Sequence, residues 1–338
     1  MRIGILKESQ NRVALAPAEA KKLVDGGFEV WIENKAGESA LFDDAQYVRN
    51  RANTATRAKV LKMADLFLQI EPPKPSDVVK MKDCASIAAD FGSFENYNGW
   101  KEKKLNCFAL NLLPRLSNLQ NMDILSSQDM LGGYAAAHEA LSISKKIPSM
   151  MITAAGTLYA ANALVVGLGV FGLSAAAALK KAGANVFAFD IAPNSAEIIN
   201  SVGARFVDLA DKGKKNEFFH KVDILICAAS GKSEKAPKLI GKDSFVNLPN
   251  GCVIIDAAIK NGGNVYCTKA GKTIEVDGIT VVGTLDWAEK VANSASALYS
   301  KNMYNFVLNA VSGNNFDFGK SFMQKICICR CGNQMEKK

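Results

Sequence analysis

One glycine-rich stretch limits the possible folds of this chain more than any other feature. Residues 165–172 read VVGLGVFG and fit the pattern G-x-G-x-x-G. An apolar segment just before the pattern predicts a strand, and an alanine-rich segment just after it predicts a helix. Gly167 permits a tight turn, Gly169 lets a ligand approach the backbone, and Gly172 lets the helix pack closely on the strand. The stretch therefore predicts a strand–turn–helix unit within a parallel α/β sheet.

The surroundings of this turn predict its ligand. A helix that begins at such a turn offers unpaired N–H groups and a partial positive charge to phosphates. The next predicted strand, NVFAFD, ends in Asp190, 21 residues after Gly169. A carboxylate there accepts hydrogen bonds from ribose hydroxyls and repels a 2′-phosphate, while Ile191 and Ala192 supply no cation. The pattern therefore favours NAD(H) over NADP(H).

These observations define a first candidate site. The residues predicted to bind the dinucleotide here are Gly167, Gly169, Val170, Gly172, Asp190, Ile191 and Ala192. The alternative interpretation is a glycine-rich turn that only packs a helix, with Asp190 as a helix cap. Strand, spacing and acid together favour dinucleotide binding.

The rest of the chain alternates between predicted strands and helices. A first series predicts strands at 2–6, 28–33, 66–70, 85–89 and 107–111, with helices at 16–25, 43–48 and 54–63. A second series predicts strands at 163–166, 185–189, 205–207, 224–228, 253–257 and 280–282, with helices at 172–182, 195–202 and 288–308. Regular alternation of this kind predicts parallel sheets covered by helices.

The predicted fold is therefore α/β, with two doubly wound, Rossmann-like parallel-sheet domains and a cleft between them. A length of 338 residues fits two domains of ordinary size. We predict an N-terminal domain at 1–128 plus about 305–338, and an NAD(H)-binding domain at 129–304. The long helix at 288–308 would run back towards the first domain.

Composition excludes several other classes of protein. The 41 basic and 33 acidic residues give a net charge of +8, but the excess is spread thinly and predicts no nucleic-acid-binding face. No apolar core of signal-peptide length follows the charged N-terminus, and no apolar run reaches the length of a transmembrane helix. The eight cysteines fit neither a disulfide framework nor a zinc spacing, so we predict free thiols, a reducing cytoplasm and no metal site.

A polar stretch upstream of the glycines, PRLSNLQNMDILSSQDMLGGY, contains Arg115, Gln120, Asp123 and Ser126. It could be a capped helix start, with Asp123 and the serines as caps. Its polar side chains could also line an active site. The two histidines of the chain, His138 and His220, have no catalytic motif around them. If the reaction were hydride transfer between two nicotinamides, no proton would move at the hydride step, and the site would need positioning groups rather than an acid or base.

Several motifs in the same order resemble the alanine dehydrogenase and proton-translocating transhydrogenase superfamily. They are KES…RVALAP at 7–17, the polar stretch, ITAAG at 152–156, the glycine pattern, APKLI at 236–240 and VIIDAAIKNGGN at 253–264. The stretch PR-x-S-x-x-Q-x-MDILSSQ resembles the transhydrogenase branch, and within it the NAD(H)-binding component, domain I or the α1 subunit. The resemblance covers about residues 1–310.

The resemblance implies a function and a set of partners. The chain would be the NAD(H)-binding, soluble subunit of a Re/Si-specific, proton-translocating NAD(P) transhydrogenase, passing hydride directly between NAD(H) and NADP(H). NADP(H) would be bound by a partner subunit, and a third component would span the membrane. The chain would form a homodimer on the cytoplasmic or matrix side, peripheral to the membrane complex.

The resemblance also implies roles for the polar stretch. Gln120 would hold the two nicotinamides together, while Arg115, Asp123 and Ser126 would orient the NAD(H) ring. Further cofactor contacts are implied for Leu116, Ser117 and Asn118. An arginine–carboxylate pair gives fixed geometry, and a glutamine amide can donate and accept at once.

Two alternatives stay open at this stage. The first is an amino-acid oxidoreductase of the alanine dehydrogenase type, which would use Arg12 for a substrate carboxylate. The lysine and histidine of that branch fall near Ile70 and Asp90, so both are lost. The second is a non-catalytic NAD(H)-binding relative. It is suggested by Ala135 and Ala192, where the family has arginines, and by a short segment at 207–222 where the family has a long mobile loop.

Overall fold

A computed structural model describes residues 1–92, 98–193, 195–230, 235–331 and 333–334. The described residues form two compact units. The first comprises Met1–Gln128 and Ala292–Lys338, and the second comprises Asp129–Val291. We predicted that the chain re-enters the first unit at about residue 305. In the structure it does so at Ala292, where a helix begins.

The strands are β1 (Arg2–Ile5), β2 (Glu29–Glu33), β3 (Asn53–Ala55), β4 (Leu66–Leu68), β5 (Ser86–Ala89), β6 (Asn106–Ala109), β7 (Met151–Thr153), β8 (Gly156–Leu158), β9 (Asn162–Val166), β10 (Asn185–Phe189), β11 (Arg205–Phe206), β12 (Ile224–Cys227), β13 (Val253–Asp256), β14 (Thr273–Val276), β15 (Ile279–Val282), β16 (Val311–Ser312), β17 (Asn315–Phe316), β18 (Cys327–Arg330) and β19 (Asn333–Gln334).

The α-helices are α1 (Pro17–Asp25), α2 (Asp44–Arg49), α3 (Arg57–Met63), α4 (Pro75–Val78), α5 (Asn98–Glu102), α6 (Ile124–Ile143), α7 (Val170–Lys181), α8 (Ser195–Ser201), α9 (Lys212–Phe219), α10 (Lys242–Phe245), α11 (Ala292–Ala310) and α12 (Ser321–Ile326). Short 3₁₀ helices cover Glu38–Ala40, Leu110–Leu112, Ser117–Met122, Ile259–Asn261 and Ala288–Val291.

The sheet of the first unit has the strand order β19-β18-β6-β5-β4-β1-β2-β3. Strands β1 to β6 pair in parallel, and β18 adds to the edge of β6 in the antiparallel direction. Alternate residues of β4 and β5 enter different core clusters, so both faces of the sheet are covered. The strand order reverses between β1 and β4, which is where open α/β sheets bind ligands.

The sheet of the second unit has the order β11-β10-β9-β12-β13-β15-β14. All its pairs are parallel except β14 with β15. Its apolar strands, such as NALVV and VIID, read as nearly continuous hydrophobic runs because helices cover both faces. The order reverses between β9 and β12, directly beside the glycine-rich turn. The predicted fold class, with two Rossmann-like parallel sheets, is confirmed.

Three local predictions were only partly right. The segment 54–63 was predicted as one helix, but Asn53–Ala55 pairs with β2 as a strand before the helix begins at Arg57. The strand predicted at 107–111 ends at Ala109 and continues as a 3₁₀ turn. The segment 207–222, predicted as a short loop, contains the helix Lys212–Phe219.

A small hairpin, β7 with β8, stands apart from the large sheets. Its residues are exposed along both strands, and Ile152 is 75% exposed. Among the helices in the described ranges, none is both apolar and long enough to pass through a bilayer.

Candidate functional site

The turn between β9 and α7 has the geometry that its glycines predict. Gly167 has φ +93°, a value that side chains rarely allow. A Cβ on Gly167 would lie 2.5 Å from the backbone nitrogen of Ala229, at the end of β12. Glycine is therefore required where the turn after β9 packs against the backbone that follows β12.

Gly172 allows close packing of the helix, and Gly169 leaves open space for a ligand. A Cβ on Gly172 would lie 1.9 Å from the carbonyl oxygen of Gly167, so the helix and the turn are in direct backbone contact. A Cβ on Gly169 would meet no heavy atom within 4 Å, so the space beside it is open. Helix α7 begins at Val170, and no side chain caps it. Its first N–H groups can therefore bind an anion such as a pyrophosphate, and the residues present fit a dinucleotide.

Asp190 lies directly after β10, beside this turn. One carboxylate oxygen accepts the Leu168 N–H at 2.6 Å, and the other accepts the Ala192 N–H at 2.8 Å. These bonds go to the glycine turn and to the residues just after the strand, not to the first turn of α8 as a helix cap would. Each oxygen keeps a further lone pair with which it can accept a hydroxyl. Ile191 is 91% exposed, and Ala192 is exposed as well.

Sequence reasoning missed a buried support for this turn. Asp256 is fully buried at the end of β13 and accepts the backbone N–H groups of Asn264 and Val265, each at 3.0 Å. The Asn264 amide in turn donates to the Ala229 carbonyl at 2.9 Å and accepts the Ala229 N–H at 3.2 Å. Ala229 is the backbone that faces Gly167. A carboxylate directly after the apolar run VII was the sequence signal that could have identified it.

The polar stretch at 115–126 lies in the first unit. Its Ser117–Met122 segment is a 3₁₀ helix whose apolar side is buried through Leu119 and Met122. Arg115 and Gln120 are exposed, as are the three residues Leu116, Ser117 and Asn118. The segment therefore presents its polar side chains to solvent from a backbone that the core anchors.

Asp123 and Ser126 are brought together. The Asp123 carboxylate accepts the Ser126 backbone N–H at 2.9 Å and the Ser126 hydroxyl at 2.7 Å. Asp123 therefore caps the start of α6, as the alternative interpretation of these residues predicted. The cap fixes the position of the Asp123 carboxylate, and it leaves Arg115 and Gln120 outside the cap bonds.

A second polar cluster lies where the sheet of the first unit reverses its order. The Glu8 carboxylate follows β1 and accepts the Ile70 N–H at 2.8 Å. The pKa of Glu8 is raised to about 7, mainly by burial and in part by the charge of Glu71, with the Ile70 N–H and Arg12 acting in the opposite direction. Sequence reasoning missed Glu8, because nothing in its immediate neighbours indicates that it is buried.

Arg12 belongs to the same cluster and is only 4% exposed. Its guanidinium donates to the side-chain oxygens of Gln10 at 2.5 Å and Gln128 at 2.6 Å. Ile70 and Asp90, which stand where the alanine dehydrogenase branch has lysine and histidine, are joined by a backbone hydrogen bond of 3.1 Å. The fold thus places these positions together, with an apolar side chain and a carboxylate instead of two bases.

Two family models match this chain, one in each half. The family model "Alanine dehydrogenase/PNT, N-terminal domain" matches residues 4–131, and the model "Alanine dehydrogenase/PNT, C-terminal domain" matches residues 136–337. The chain belongs to the alanine dehydrogenase/PNT family. The predicted superfamily is confirmed, and the match extends past residue 310, where the predicted resemblance ended, to include the cysteine-rich tail.

Individual members of the alanine dehydrogenase/PNT family are similar along nearly the whole chain. An NAD(P) transhydrogenase subunit alpha protein of Rickettsia prowazekii is 33% identical over 365 aligned residues, covering 98% of this chain and 95% of the relative. A transhydrogenase crystal structure from Sinorhizobium meliloti superposes with a TM-score of 0.93 at 32% identity, covering 99% and 100% of the two chains. An L-alanine dehydrogenase structure, with a TM-score of 0.89 at 20% identity over 99% and 97%, shares the fold.

The transhydrogenase resemblance predicted from the polar stretch is therefore confirmed at the level of the subunit family. Within the described residues, no group of three or more histidine, cysteine or acidic side chains could hold a metal ion. His138 is exposed and lies with its ring centroid 4.3 Å from that of Tyr134.

Proposed function

We propose that this protein is the NAD(H)-binding subunit of a proton-translocating transhydrogenase, in which hydride passes directly between NAD(H) and NADP(H) bound on a partner subunit. The observation that carries the proposal is the glycine turn. Its second glycine faces open space, its helix begins without a side-chain cap, and a carboxylate stands at the end of the next strand. Together these features fit a dinucleotide with a free 2′-hydroxyl.

Selection of NAD(H) is assigned to Asp190 and to the two residues after it. The carboxylate is held by the N–H groups of Leu168 and Ala192, so it cannot easily turn away from a ribose. A 2′-phosphate placed there would meet this charge, and neither Ile191 nor Ala192 offers a compensating cation.

Alignment of the nicotinamide is assigned to the polar stretch of the first unit. Bound NADH supplies the hydride, and no proton moves at that step. The residues therefore need to orient and to exclude water rather than to act as acid or base. Asp123 is held by Ser126, while Arg115 and Gln120 are exposed and able to contact a second ring. Contacts of Leu116, Ser117 and Asn118 with the cofactor complete the proposed set.

The test of this assignment is hydride transfer by Gln120→Asn. The substitution keeps the amide and shortens the side chain by one methylene, so we expect transfer to slow by about 10- to 100-fold while NADH affinity stays within about twofold. Gln324→Asn, at an exposed position on α12 of the same unit, is the matched control. Transfer would be followed by absorbance from NADH to an NADP⁺ analogue on a purified NADP(H)-binding transhydrogenase component. Equal rates for the two variants would contradict the role of Gln120.

The partners that we propose are an NADP(H)-binding subunit and a membrane-spanning subunit, with this chain on the cytoplasmic or matrix side. We also propose a homodimer, supported by the hairpin β7–β8. A hairpin alone is marginally stable in water. Here Met151, Ile152, Leu158 and Tyr159 are each at least 45% exposed, and residues 150–159 carry no charge. An uncharged apolar arm fits an identical arm better than it fits a charged partner.

Ile152→Asp tests the homodimer. A charge in the middle of the apolar arm should convert the protein from dimer to monomer in analytical ultracentrifugation. Thr157→Asp places the same charge on the opposite strand, at the residue paired with Ile152, and should have the same effect. A wild-type protein that sediments as a monomer at micromolar concentration would contradict the proposal.

The cluster around Glu8 supports a second candidate function, the amino-acid oxidoreductase. In the described region of the chain, Gln10 Nε2 and Gln69 Oε1 are buried without a hydrogen-bond partner. Glu8, with a pKa of about 7, could accept a proton near them. Arg12 already binds two amide oxygens, so a substrate carboxylate would have to displace them. Incubation with NAD⁺ and L-alanine decides the matter, because this function requires NADH absorbance to appear.

A further inference from the structure

Asn302 is a buried amide in the middle of α11, and its side chain is 5% exposed. Its Nδ2 donates to the carbonyl oxygen of Asn121 at 2.9 Å, and its Oδ1 accepts from the hydroxyl of Ser127 at 2.7 Å. The Ser127 Oγ also lies 2.9 Å from the Ile124 carbonyl oxygen, so the one hydroxyl proton is shared between these two acceptors. Both polar atoms of the amide are thus engaged. A buried amide that lost these partners would be strongly disfavoured, so the three groups are held as a unit.

The two partners of Asn302 belong to the second half of the polar stretch. Asn121 follows Gln120 directly, and Ser127 follows Ser126 directly. Asp123 lies between them. One side chain from a distant helix therefore ties both ends of the segment 121–127, which carries two of the four residues assigned to hydride transfer and directly follows a third, Gln120.

The segment gains from such a tie because part of its backbone is a 3₁₀ helix. It contains a 3₁₀ helix, in which the Leu119 N–H donates to Leu116 and the Asp123 N–H donates to Gln120. Hydrogen-bond geometry in a 3₁₀ helix is poorer than in an α-helix, and such turns are rarely stable for long. The buried side chains Leu119 and Met122 fix the apolar side of the segment, and Asn302 adds polar bonds to its backbone and to Ser127.

We propose that Asn302 is a positioning residue for hydride transfer, which holds Gln120 and Asp123 in the geometry that the reaction requires. This inference rests on the proposed function. Displacement of a reacting group by about 1 Å can slow a reaction about 100-fold without changing how tightly the substrate binds. In this proposal Asn302 acts through the segment, to which both of its polar atoms are bonded.

The chain offers a matched control one turn along the same helix. Asn305 donates its Nδ2 to the same Asn121 carbonyl at 3.2 Å, but this bond is exposed to solvent. Water can replace an exposed donor at little cost, whereas Asn302 is only 5% exposed and its bonds are partly buried. Asn305→Ala therefore removes a bond to the same acceptor and should leave transfer within about twofold of the wild type.

Asn302→Asp separates positioning from packing. Aspartate has the size of asparagine and can still accept from Ser127, but it offers no N–H to Asn121 and faces that carbonyl with negative charge. A buried carboxylate lowers stability by itself, so urea unfolding is measured beside transfer. If Asn302 only fills space, the folded variant should transfer hydride as fast as the wild type does. If it positions the segment, the variant should be at least about tenfold slower in transfer. Ser127→Ala removes the other bond and should give a smaller loss.

Beside urea unfolding, the experiment measures three quantities on the full-length wild type and on Asn302→Asp, Asn302→Ala, Ser127→Ala and Asn305→Ala. The first is single-turnover hydride transfer from NADH to an NADP⁺ analogue on a purified NADP(H)-binding component. The second is the NADH dissociation constant from nicotinamide fluorescence. The third is hydrogen–deuterium exchange of the peptide that covers 115–127, where the Ser126 N–H reports on the Asp123 cap.

The expected result is slow transfer by Asn302→Asp with an NADH dissociation constant within about twofold of the wild type, and exchange at 115–127 at least about tenfold faster. Asn305→Ala should match the wild type in all three. Equal exchange and equal transfer in Asn302→Asp and Asn305→Ala would overturn the inference. A wild type that transfers no hydride would overturn the proposed function instead, while the exchange comparison would still decide whether Asn302 holds the segment.

Discussion

Replacement of Glu8 by glutamine should remove a pH dependence of stability. Burial raises the pKa of Glu8 from its ordinary 4.5 to about 7. Because the folded protein then holds a proton that the unfolded chain releases, the free energy of unfolding falls as the pH rises from about 4.5 to about 7. At about 1.4 kcal/mol per pH unit, the loss over this window approaches about 3 kcal/mol. Glutamine at position 8 does not titrate, so the free energy of unfolding of the variant should not fall for this reason.

Differential scanning calorimetry of both proteins at pH 5, 6, 7 and 8 measures this effect. The first unit contains about 175 residues, for which about 3 kcal/mol corresponds to about 8 °C in Tm if it melts alone. If the units melt together, the same energy corresponds to about 4 °C. We expect the Tm of Glu8→Gln, relative to the wild type, to rise by most of that amount between pH 5 and pH 8, since pH 5 lies just inside the window.

Glu38→Gln is the control, because it removes an exposed glutamate from the same unit. Its Tm should differ from that of the wild type by the same amount at every pH. A constant difference between Glu8→Gln and the wild type from pH 5 to pH 8 would refute the reasoning, since Glu8 would then titrate alike in the folded and unfolded chains.

Two further predictions concern other positions. Gly172→Ala places a Cβ 1.9 Å from the Gly167 carbonyl oxygen, so it should lower Tm and weaken NADH binding together. Gly169→Ala has open space around its Cβ, so it should weaken NADH binding and leave Tm unchanged. Calorimetry measures Tm, and NADH fluorescence titration measures binding. Tyr47→Phe removes the buried hydroxyl that donates to Leu15 at 2.7 Å and should cost about 1–3 kcal/mol in urea unfolding, and an unchanged midpoint would contradict the buried bond.

Local sequence was sufficient to predict those elements whose conformation depends mainly on their own residues. NVFAF was predicted as a strand and is one at Asn185–Phe189, because alternating apolar residues between a glycine turn and an acid allow little else. The helix after the glycines begins two residues before the predicted position, at Val170, since the turn itself supplies the first helical residues. The glycine turn could be predicted in detail for the same reason.

Elements that depend on distant partners could not be predicted. Asn53–Ala55 is a strand because β2 lies beside it, although its sequence continues smoothly into a helix. The tail ICICRC pairs with β6, more than 200 residues earlier, and no local pattern records that pairing. Glu8 is an ordinary glutamate in the sequence, and its raised pKa arises only when β1 and β4 come together.

The position of β18 has a consequence for how the protein is made. Strand β6 ends at Ala109, and the strand that covers its edge begins at Cys327. At about 5–20 residues per second, a ribosome needs roughly 10–40 s to synthesise the intervening chain. During that time the edge of β6 is open and can pair with another nascent chain. The second unit, continuous in sequence, can finish folding while the first still waits for its last strand, so chaperones that shield open strand edges should affect the yield of the first unit most.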